Sequence, residues 1–194
     1  MRLEEFRYIN TEDIFEMEYA PDPKAVPWSR VYEYPLIMKK CKEVFCPGFS
    51  IHNTSWGFTG THVIFKNKLE STFGDSVFHS DIRPSNLSNT FVYDITKLPK
   101  QDMIEKYDIV INVSTLEEVN FDHIVIFENL FKQVKPGGYF MSTFDMPGLQ
   151  LHKFEEMFDT KIQKTGTLID GSNSRAPNER YAHLNVGFMM VQKS

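Results

Sequence analysis

Hydrophobic and polar residues alternate along this chain with two different periods, which predict alternating strands and helices. Short apolar runs bounded by polar residues predict β-strands, and longer segments with apolar residues at helical spacing predict α-helices. The predicted strands are FSIHN, SVFHSDI, TFVYDI, YDIVINVS, YFMSTF and two tail segments, KTGTLIDG and LNVGFMMVQ. The predicted helices are SRVYEYPLIMKKCKEVF, GTHVIFKNKLESTF, FDHIVIFENLFKQV and LQLHKFEEMF.

The order of these elements predicts an α/β fold, a Rossmann-like three-layer sandwich. Strands with unbroken apolar runs that alternate with helices are typical of a mostly parallel sheet covered on both faces. The two tail strands have no helix between them, so we expect them to form an antiparallel C-terminal hairpin at one edge. In the first helix Ser29 is a candidate N-cap, and Pro35 is a candidate break.

The first 28 residues differ in composition from the remainder of the chain. They are acidic and aromatic, and they end in APDPKAVPW. Three prolines within seven residues prohibit a continuous helix there. We therefore interpret residues 1–28 as an N-terminal arm that folds against the domain, and residues 29–194 as a single ligand-binding domain.

Composition and charge narrow the classes of partner. The chain is 41% hydrophobic and contains 17 Phe and 8 Tyr, which is ample material for a core. The net charge is -5 and Lys and Arg form no run, so nucleic acid is not expected as a partner.

No stretch approaches the roughly 20 apolar residues that span a bilayer. Two cysteines, Cys41 and Cys46, are too few for a disulfide framework, so we expect reduced thiols and a cytoplasmic protein. The oligomeric state is not predicted.

Polar residues follow the predicted strands, where a parallel sheet of this kind has its ligand crevice. Asp81 follows the second strand and Asp94 the third. One carboxylate can accept hydrogen bonds from both hydroxyls of a ribose, and a polar group on the next strand suits the exocyclic amine of adenine. Together these positions indicate an adenosine site.

Four segments resemble the class I S-adenosylmethionine-dependent methyltransferases: SDIRPSN, FVYDITKLP, YDIVINVSTLEEV and LFKQVKPGGYFMSTF. The resemblance extends from about residue 30 to the C-terminus, and the KPGG turn before a strand is its most specific part. It implies a methyltransferase domain over residues 29–194 with S-adenosyl-L-methionine as the cofactor. It also implies that Asp81 binds the ribose and that Asp94 and Ile95 lie near the adenine.

The stretch SIHNTSWGFTG matches the glycine loop of this family only in part. The family pattern is acidic-x-Gly-x-Gly-x-Gly, and the loop packs against the methionine part of the cofactor. Asn53 stands at the acidic position, Ser55 at the first glycine, Gly57 at the second and Gly60 near the third. A methionine carries no phosphate, so a strict glycine cradle is less necessary than at a phosphate site. We interpret this stretch as a degenerate cofactor turn, with an ordinary loop as the alternative.

The first helix resembles a segment that many of these enzymes fold over the methionine end of the cofactor. In that interpretation Arg30 pairs with the cofactor carboxylate and Tyr32 or Tyr34 lines the pocket. The alternative is an exposed arginine and two core tyrosines. The full set of cofactor-binding candidates is Arg30, Tyr34, Asn53, Ser55, Trp56, Gly57, Gly60, His62, Asp81, Arg83, Asp94, Ile95, Asn112, Val113 and Ser114.

Sequence patterns that the chain lacks argue against some classes of methyl acceptor. The loop after the fourth strand does not have the Asn/Asp-Pro-Pro-aromatic pattern of nucleobase amino methylation, and Cys46 is not placed for pyrimidine carbon methylation. Methylation of a hydroxyl on a sugar, a glycan or another small acceptor is what remains. Such a reaction needs a general base, for which Asp145, His183 and Glu117 are the candidates. The loop DGSNSRAPNERYAH is suited to sugar hydroxyls or is a solvated connection. The histidines have no short ligand spacing, and we expect no metal.

Two other functions stay open. The missing glycines, together with Asn53 in place of an acid, also fit a catalytically silent methyltransferase-like binding module. A nicotinamide-dependent oxidoreductase is disfavoured because the Gly-x-Gly-x-x-Gly fingerprint is absent.

Overall fold

The structure is a computed structural model that describes residues 1–14, 16, 19, 29–57, 60–168 and 185–194. The strands are β1 (Arg2–Tyr8), β2 (Ile51–Thr54), β3 (Val77–Asp81), β4 (Thr90–Val92), β5 (Tyr107–Val113), β6 (Val134–Met146) and β7 (Asn185–Gln192). The helices are α1 (Arg30–Val44), α2 (Thr61–Phe73), α3 (His123–Phe131) and α4 (Leu151–Met157). Within these residues the strands form one seven-stranded sheet in the order β1-β7-β6-β5-β2-β3-β4.

The sheet is parallel over most of its width. Strand β2 pairs in parallel with both β3 and β5, β4 continues beyond β3, and β6 continues beyond β5. At the other side β7 is antiparallel to both β6 and β1. This confirms the predicted α/β fold, a mostly parallel Rossmann-like sheet with an antiparallel edge. The strand order reverses at β2, which places a topological switch point between β2 and β5.

The antiparallel edge contains one strand, β1, that the sequence pattern did not predict. Strand β1 lies in the part interpreted as an arm, yet it pairs along its length with β7. Only Phe6 and Tyr8 of this highly charged strand are buried, so its apolar alternation is too short to be recognised. Within its described residues 164–168, the first tail segment makes an isolated bridge from Leu168 to Asn10 and no strand.

Helix α1 continues through Pro35, so the candidate break does not occur. Proline has no N–H to donate to the carbonyl four residues earlier. That carbonyl belongs to Val31, and it accepts the backbone N–H of Glu16 at 3.0 Å instead. The N-terminal segment therefore satisfies the acceptor that the proline leaves open. Ser29 stands at the N-cap position, but its side chain makes no capping hydrogen bond.

Two apolar clusters cover the two faces of the sheet. Ile109 and Ile111 of β5 belong to the cluster that also contains most of the buried apolar residues of α1 and α2. Val110, between them, belongs to the cluster that contains the buried apolar residues of α3 and α4. All but one residue of β5 are buried, which explains its unbroken apolar run.

Two further features concern the length of the helices and the state of the cysteines. Among the described helices, none has the length and apolar character needed to cross a bilayer. Cys41 is buried, Cys46 is exposed, and each is a free thiol.

Candidate active site

The carboxyl ends of β3, β4 and β5 meet around a cavity of about 230 Å³. Asp81 ends β3 and Asp94 follows β4, and both line this cavity. Asp81 and Asp94 therefore lie at the same crevice, as their positions in the sequence predict. The complete lining is Ser55, Asp81, Ile82, Tyr93, Asp94, Ile95, Thr96, Thr115 and Val119.

Asp81 also organises the loops around the cavity. Its Oδ2 accepts the backbone N–H of Gly57 at 3.4 Å, and its Oδ1 accepts the backbone N–H of Arg83 at 3.0 Å. The Arg83 side chain is 66% exposed and its Nε lies 3.3 Å from the same oxygen. An ion pair that is so open to water contributes little, about 0–1 kcal/mol. The position of the Asp81 carboxylate is thus fixed by its place at the end of β3 and not by the ion pair with Arg83.

Asp94 presents an ionised carboxylate to the same cavity. Its Oδ1 accepts two hydrogen bonds from Thr96, from the side-chain hydroxyl at 2.7 Å and from the backbone N–H at 2.9 Å. The hydroxyl bond is the main reason why the pKa of Asp94 lies below its usual value. At neutral pH this residue is an acceptor, as the exocyclic amine of an adenine requires.

The first loop keeps a glycine-type backbone although it has lost glycines. Ser55, Gly57 and Gly60 have φ angles of 53°, 67° and 58°. These are the three positions that the family resemblance aligns with glycines. A left-handed backbone costs a non-glycine residue about 1–2 kcal/mol, so the conformation at Ser55 is imposed by the surrounding fold.

Some predicted cofactor residues are buried and do not line the cavity. They are Asn53, Trp56, Asn112 and Val113, all of which are buried. Asn112 donates to the Thr54 hydroxyl at 3.0 Å and accepts the backbone N–H of Leu116 at 3.1 Å. Asn53 Nδ2 lies 3.2 Å from His79 Nδ1. In this structure Asn112 thus joins the tips of β5 and β2, and Asn53 contacts β3.

Tyr34 and His62 form a pair at the first turn of α2. The Tyr34 hydroxyl lies 2.6 Å from His62 Nδ1. Burial, and secondarily the charge of Arg30, lowers the pKa of His62 to about 4, so the imidazole is neutral at physiological pH. The ring packs directly over Gly57, where an added Cβ would stand 2.7 Å from His62 Cδ2.

We expect Gly57→Ala to reduce the free energy of unfolding by about 2–4 kcal/mol, because a positive φ and a steric overlap are imposed together. Gly48→Ala is the matched control, since Gly48 also has a positive φ but an added Cβ meets nothing within 4 Å. Urea unfolding of both variants separates the clash from the backbone cost. Equal losses for the two variants would show that His62 moves aside freely.

A buried ion pair links α1 to the tips of β5 and β6. Glu33 is fully buried, is paired with Arg30, and accepts hydrogen bonds from the Ser114 hydroxyl and, at 2.6 Å, from the Thr143 hydroxyl. Burial alone would raise the pKa of Glu33, but the Arg30 charge and the two hydroxyls lower it. Glu33 was missed by the sequence analysis, although its spacing of three residues from Arg30 on a helix is a typical ion-pair signal.

Arg30, predicted to pair with the cofactor carboxylate, therefore already has a carboxylate partner within the protein. Burial by itself would lower the pKa of its guanidinium, but attraction to Glu33 outweighs burial and raises it. Its Nε is buried and has no hydrogen-bond partner among the described residues. One donor of Arg30 thus remains available for another acceptor.

Two of the three candidate bases, Glu117 and Asp145, are in direct contact. Glu117 Oε1 accepts the backbone N–H of Asp145 at 2.6 Å. Burial, together with the neighbouring Asp145 charge, raises the pKa of Glu117 well above its usual value. Burial, together with the charge of Glu33, raises the pKa of Asp145 to about 7. Burial therefore favours the protonated form of both carboxyl groups, compared with the same groups in water.

The third candidate base, His183, lies outside the described residues, as does the polar loop at 170–183.

The buried His52 is held between Gln133 at 2.9 Å and the Ser80 hydroxyl at 2.8 Å, so it has a core role. Over the described part of the chain, no three or more His, Cys, Asp and Glu side chains are grouped so as to hold a metal ion.

Known structures share this architecture at low sequence identity. The [4+2]-cyclase SpnF superposes with a TM-score of 0.58 and 12% identity over 96% of this chain and 87% of its own. The CMeT domain of the citrinin polyketide synthase gives 0.57 and 10% identity over 88% of this chain. A geranyl diphosphate C-methyltransferase from Streptomyces coelicolor A3(2), in complex with S-adenosyl-L-homocysteine, gives 0.50 and 11% identity over 97% of this chain and 91% of its own.

These likenesses show the fold, which is the Rossmann-like fold of methyltransferases. The chain spans 55% of the citrinin synthase chain that it matches. No protein-family model and no curated protein sequence matches it significantly. A cyclase stands beside methyltransferases among the matched structures, so the fold by itself does not define the reaction.

Proposed function

We propose that the chain is an S-adenosylmethionine-dependent methyltransferase that binds the adenosyl group in the cavity at the ends of β3, β4 and β5. The observation that carries this proposal is the convergence of Asp81, Asp94 and the left-handed turn at Ser55 on one cavity beside the switch point. Asp81 would accept the ribose hydroxyls and Asp94 the adenine amine. Tyr93 and Ile95 supply apolar wall for the purine.

The methionine end of the cofactor would lie toward α1. Arg30 has a buried Nε–H without a partner among the described residues, which suits the cofactor carboxylate. Tyr34 and His62 are neighbours of this guanidinium, with the Tyr34 ring centroid 5.8 Å from Arg30 Cζ. In this arrangement Glu33 fixes Arg30, so that the guanidinium is pre-oriented before the ligand arrives.

The acceptor that we propose is a hydroxyl of a sugar, a glycan or another small molecule. The hydroxyl oxygen attacks the methyl carbon in line, the carbon–sulfur bond breaks, and its electron pair stays on sulfur. Asp145 takes the hydroxyl proton, for which a pKa of about 7 is well matched. Alignment of the two reactants is the main contribution of the protein and is worth about 7–11 kcal/mol at best.

Calorimetry tests the cofactor site directly. We expect micromolar binding of S-adenosylmethionine and of its demethylated product, and no binding of NAD. Asp81→Asn should weaken binding of both ligands by about 10- to 100-fold, because it removes charge-assisted bonds to the ribose. Asp75→Asn is the matched control, since Asp75 is exposed and precedes the opposite end of β3. An unchanged affinity in the Asp81 variant would remove this residue from the ribose.

A catalytically silent binding module is the second candidate, and one observation favours it. Arg30 is already neutralised by Glu33, so a cofactor carboxylate has to share this cation. A labelled methyl donor offered with saccharides and small hydroxylated compounds discriminates the two functions. Cofactor binding without transfer to any hydroxyl would favour the silent module.

A further inference from the structure

A group of four polar side chains connects α2 to β3 and β2 and lies outside the proposed cofactor cavity. This lysine cluster consists of Lys66 and Glu70 of α2, His79 of β3 and Asn53 of β2. Lys66, His79 and Asn53 are buried, and Glu70 is partly buried. None of the four lines the cavity, so any effect of the cluster on a ligand there has to pass through another residue.

Lys66 carries a positive charge into the protein interior, and Glu70 is its partner. The Lys66 side chain is only 4% exposed, and its Nζ lies 2.7 Å from Glu70 Oε1. A lysine is almost never buried to this extent unless an opposite charge accompanies it. Glu70, one helical turn later on α2, therefore compensates an ammonium group that would otherwise bear the cost of desolvation alone.

The same carboxylate helps to orient His79. Glu70 Oε1 lies 3.4 Å from His79 Nε2, while Asn53 Nδ2 lies 3.2 Å from His79 Nδ1. Burial, and then the charge of Lys66, lowers the pKa of His79 to about 3, so the ring is neutral at physiological pH. An amide nitrogen can only donate, so Nδ1 is the acceptor and Nε2 carries the hydrogen. The Nε2–H group makes no aligned hydrogen bond within the described residues, so its attraction to Glu70 is electrostatic.

Trp56 of the first loop packs against this cluster. Its ring centroid lies 6.0 Å from Lys66 Nζ and 5.9 Å from the His79 ring, which it meets edge-on. A cation near an indole face is attracted to it, and more strongly where water is excluded. Trp56 is 3% exposed and stands between Ser55 and Gly57, whose φ angles are 53° and 67°. An indole that is held from two sides therefore restrains the backbone of both left-handed residues.

We propose that the lysine cluster positions the cofactor turn through Trp56. The cluster holds the indole, and the held indole keeps Ser55 in a left-handed conformation that is costly for a residue with a side chain. The turn then presents Ser55 to the cavity in the shape that binds the cofactor. Lys66, Glu70 and His79 are positioning residues, and the identity of the bound ligand as the cofactor rests on the proposed function. In this way the packing of Trp56 compensates for the glycine that the loop lacks at position 55.

Two measurements on the same variants test the inference: calorimetry with S-adenosyl-L-homocysteine and acrylamide quenching of Trp56 fluorescence. The chain has two tryptophans, so all variants carry Trp28→Phe, which leaves Trp56 as the reporter. Lys66→Met should weaken binding at least about tenfold and increase quenching, because the indole loses its cation and Glu70 loses its partner. Lys66→Arg keeps the charge and should restore both values.

Helix α1 supplies the matched control. Lys39 forms a pair of the same spacing with Glu43, at 3.9 Å and open to water, so Lys39→Met should change neither affinity nor quenching. A double variant, Lys66→Met with Glu70→Gln, leaves no unpaired charge and keeps the test available if Lys66→Met alone does not fold. Its affinity should match that of Lys66→Met within about twofold, because the pair acts as one unit.

The outcomes separate this inference from the proposed function. Unchanged affinity in Lys66→Met and in the double variant would overturn the inference, since a purely structural role lowers only the free energy of unfolding. A loss of affinity without increased quenching would overturn it as well, because the effect would not pass through Trp56. If the unsubstituted protein does not bind S-adenosyl-L-homocysteine, the proposed function fails, and the quenching series alone upholds or overturns the anchoring of Trp56.

Discussion

Asp145→Asn is expected to lower the rate of methyl transfer by about 10²- to 10⁴-fold, the usual contribution of a general base. The amide has nearly the same shape but cannot take the hydroxyl proton. Cofactor affinity should be unchanged, because Asp145 does not line the cavity proposed for the adenosyl group. Single-turnover measurements with labelled donor separate the chemical step from binding.

The pH dependence gives a second readout for the same residue. A base must be ionised, so the rate constant kcat/KM should rise with pH and level off above about 7, where Asp145 has lost its proton. In Asp145→Asn this inflection should disappear. Asp102→Asn, at an exposed site, should keep both the rate and the profile. Full activity with an intact inflection in Asp145→Asn would transfer the base role to Glu117 or His183.

The raised pKa of Asp145 also links stability to pH. A carboxyl group whose pKa is raised from 3.8 to about 7 by folding binds its proton more tightly in the folded state. The folded state is therefore favoured at low pH, and this contribution is lost as pH rises from about 4 to about 7. Asp145→Asn should remove that slope from the unfolding free energy, which urea titrations across this window measure.

Glu33→Gln is expected to reduce the free energy of unfolding by about 3 kcal/mol, the lower end of the loss when one partner of a buried ion pair is removed. The glutamine still offers an oxygen to the Ser114 and Thr143 hydroxyls, so the change isolates the charge. The lower end applies because Glu33 also repels Asp145, and its removal lets Arg30 interact with Asp145 instead.

Helix α1 offers a matched control for this prediction. Glu43→Gln makes the same change at a half-exposed pair with Lys40, at 3.2 Å, and should cost about 0–1 kcal/mol. The double variant Arg30→Gln with Glu33→Gln should lose less than the sum of the two single losses, since no unpaired charge stays buried. A loss for Glu33→Gln as small as that for Glu43→Gln would show that water or Asp145 compensates Arg30.

The sequence alone was sufficient for the order of elements from α1 to α4 and for one wall of the site. The apolar run of β5 and the helical spacing of α2 and α3 are local patterns, because each depends on which face of a single element is buried. Asp81 and Asp94 were predicted correctly to share one crevice. Parallel strands present their carboxyl ends at one edge, so a residue directly after such a strand has its place fixed by topology.

Only the tertiary structure decided the contacts that give the site its electrostatics. Glu117 and Asp145 are 28 residues apart, and Glu33 and Ser114 are 81 apart, so no local period brings them together. The place of β1 at the sheet edge likewise depends on β7, at the other end of the chain. Residue types show which groups can ionise, but their pKa values follow from burial and neighbouring charge, which exist only once the chain is packed.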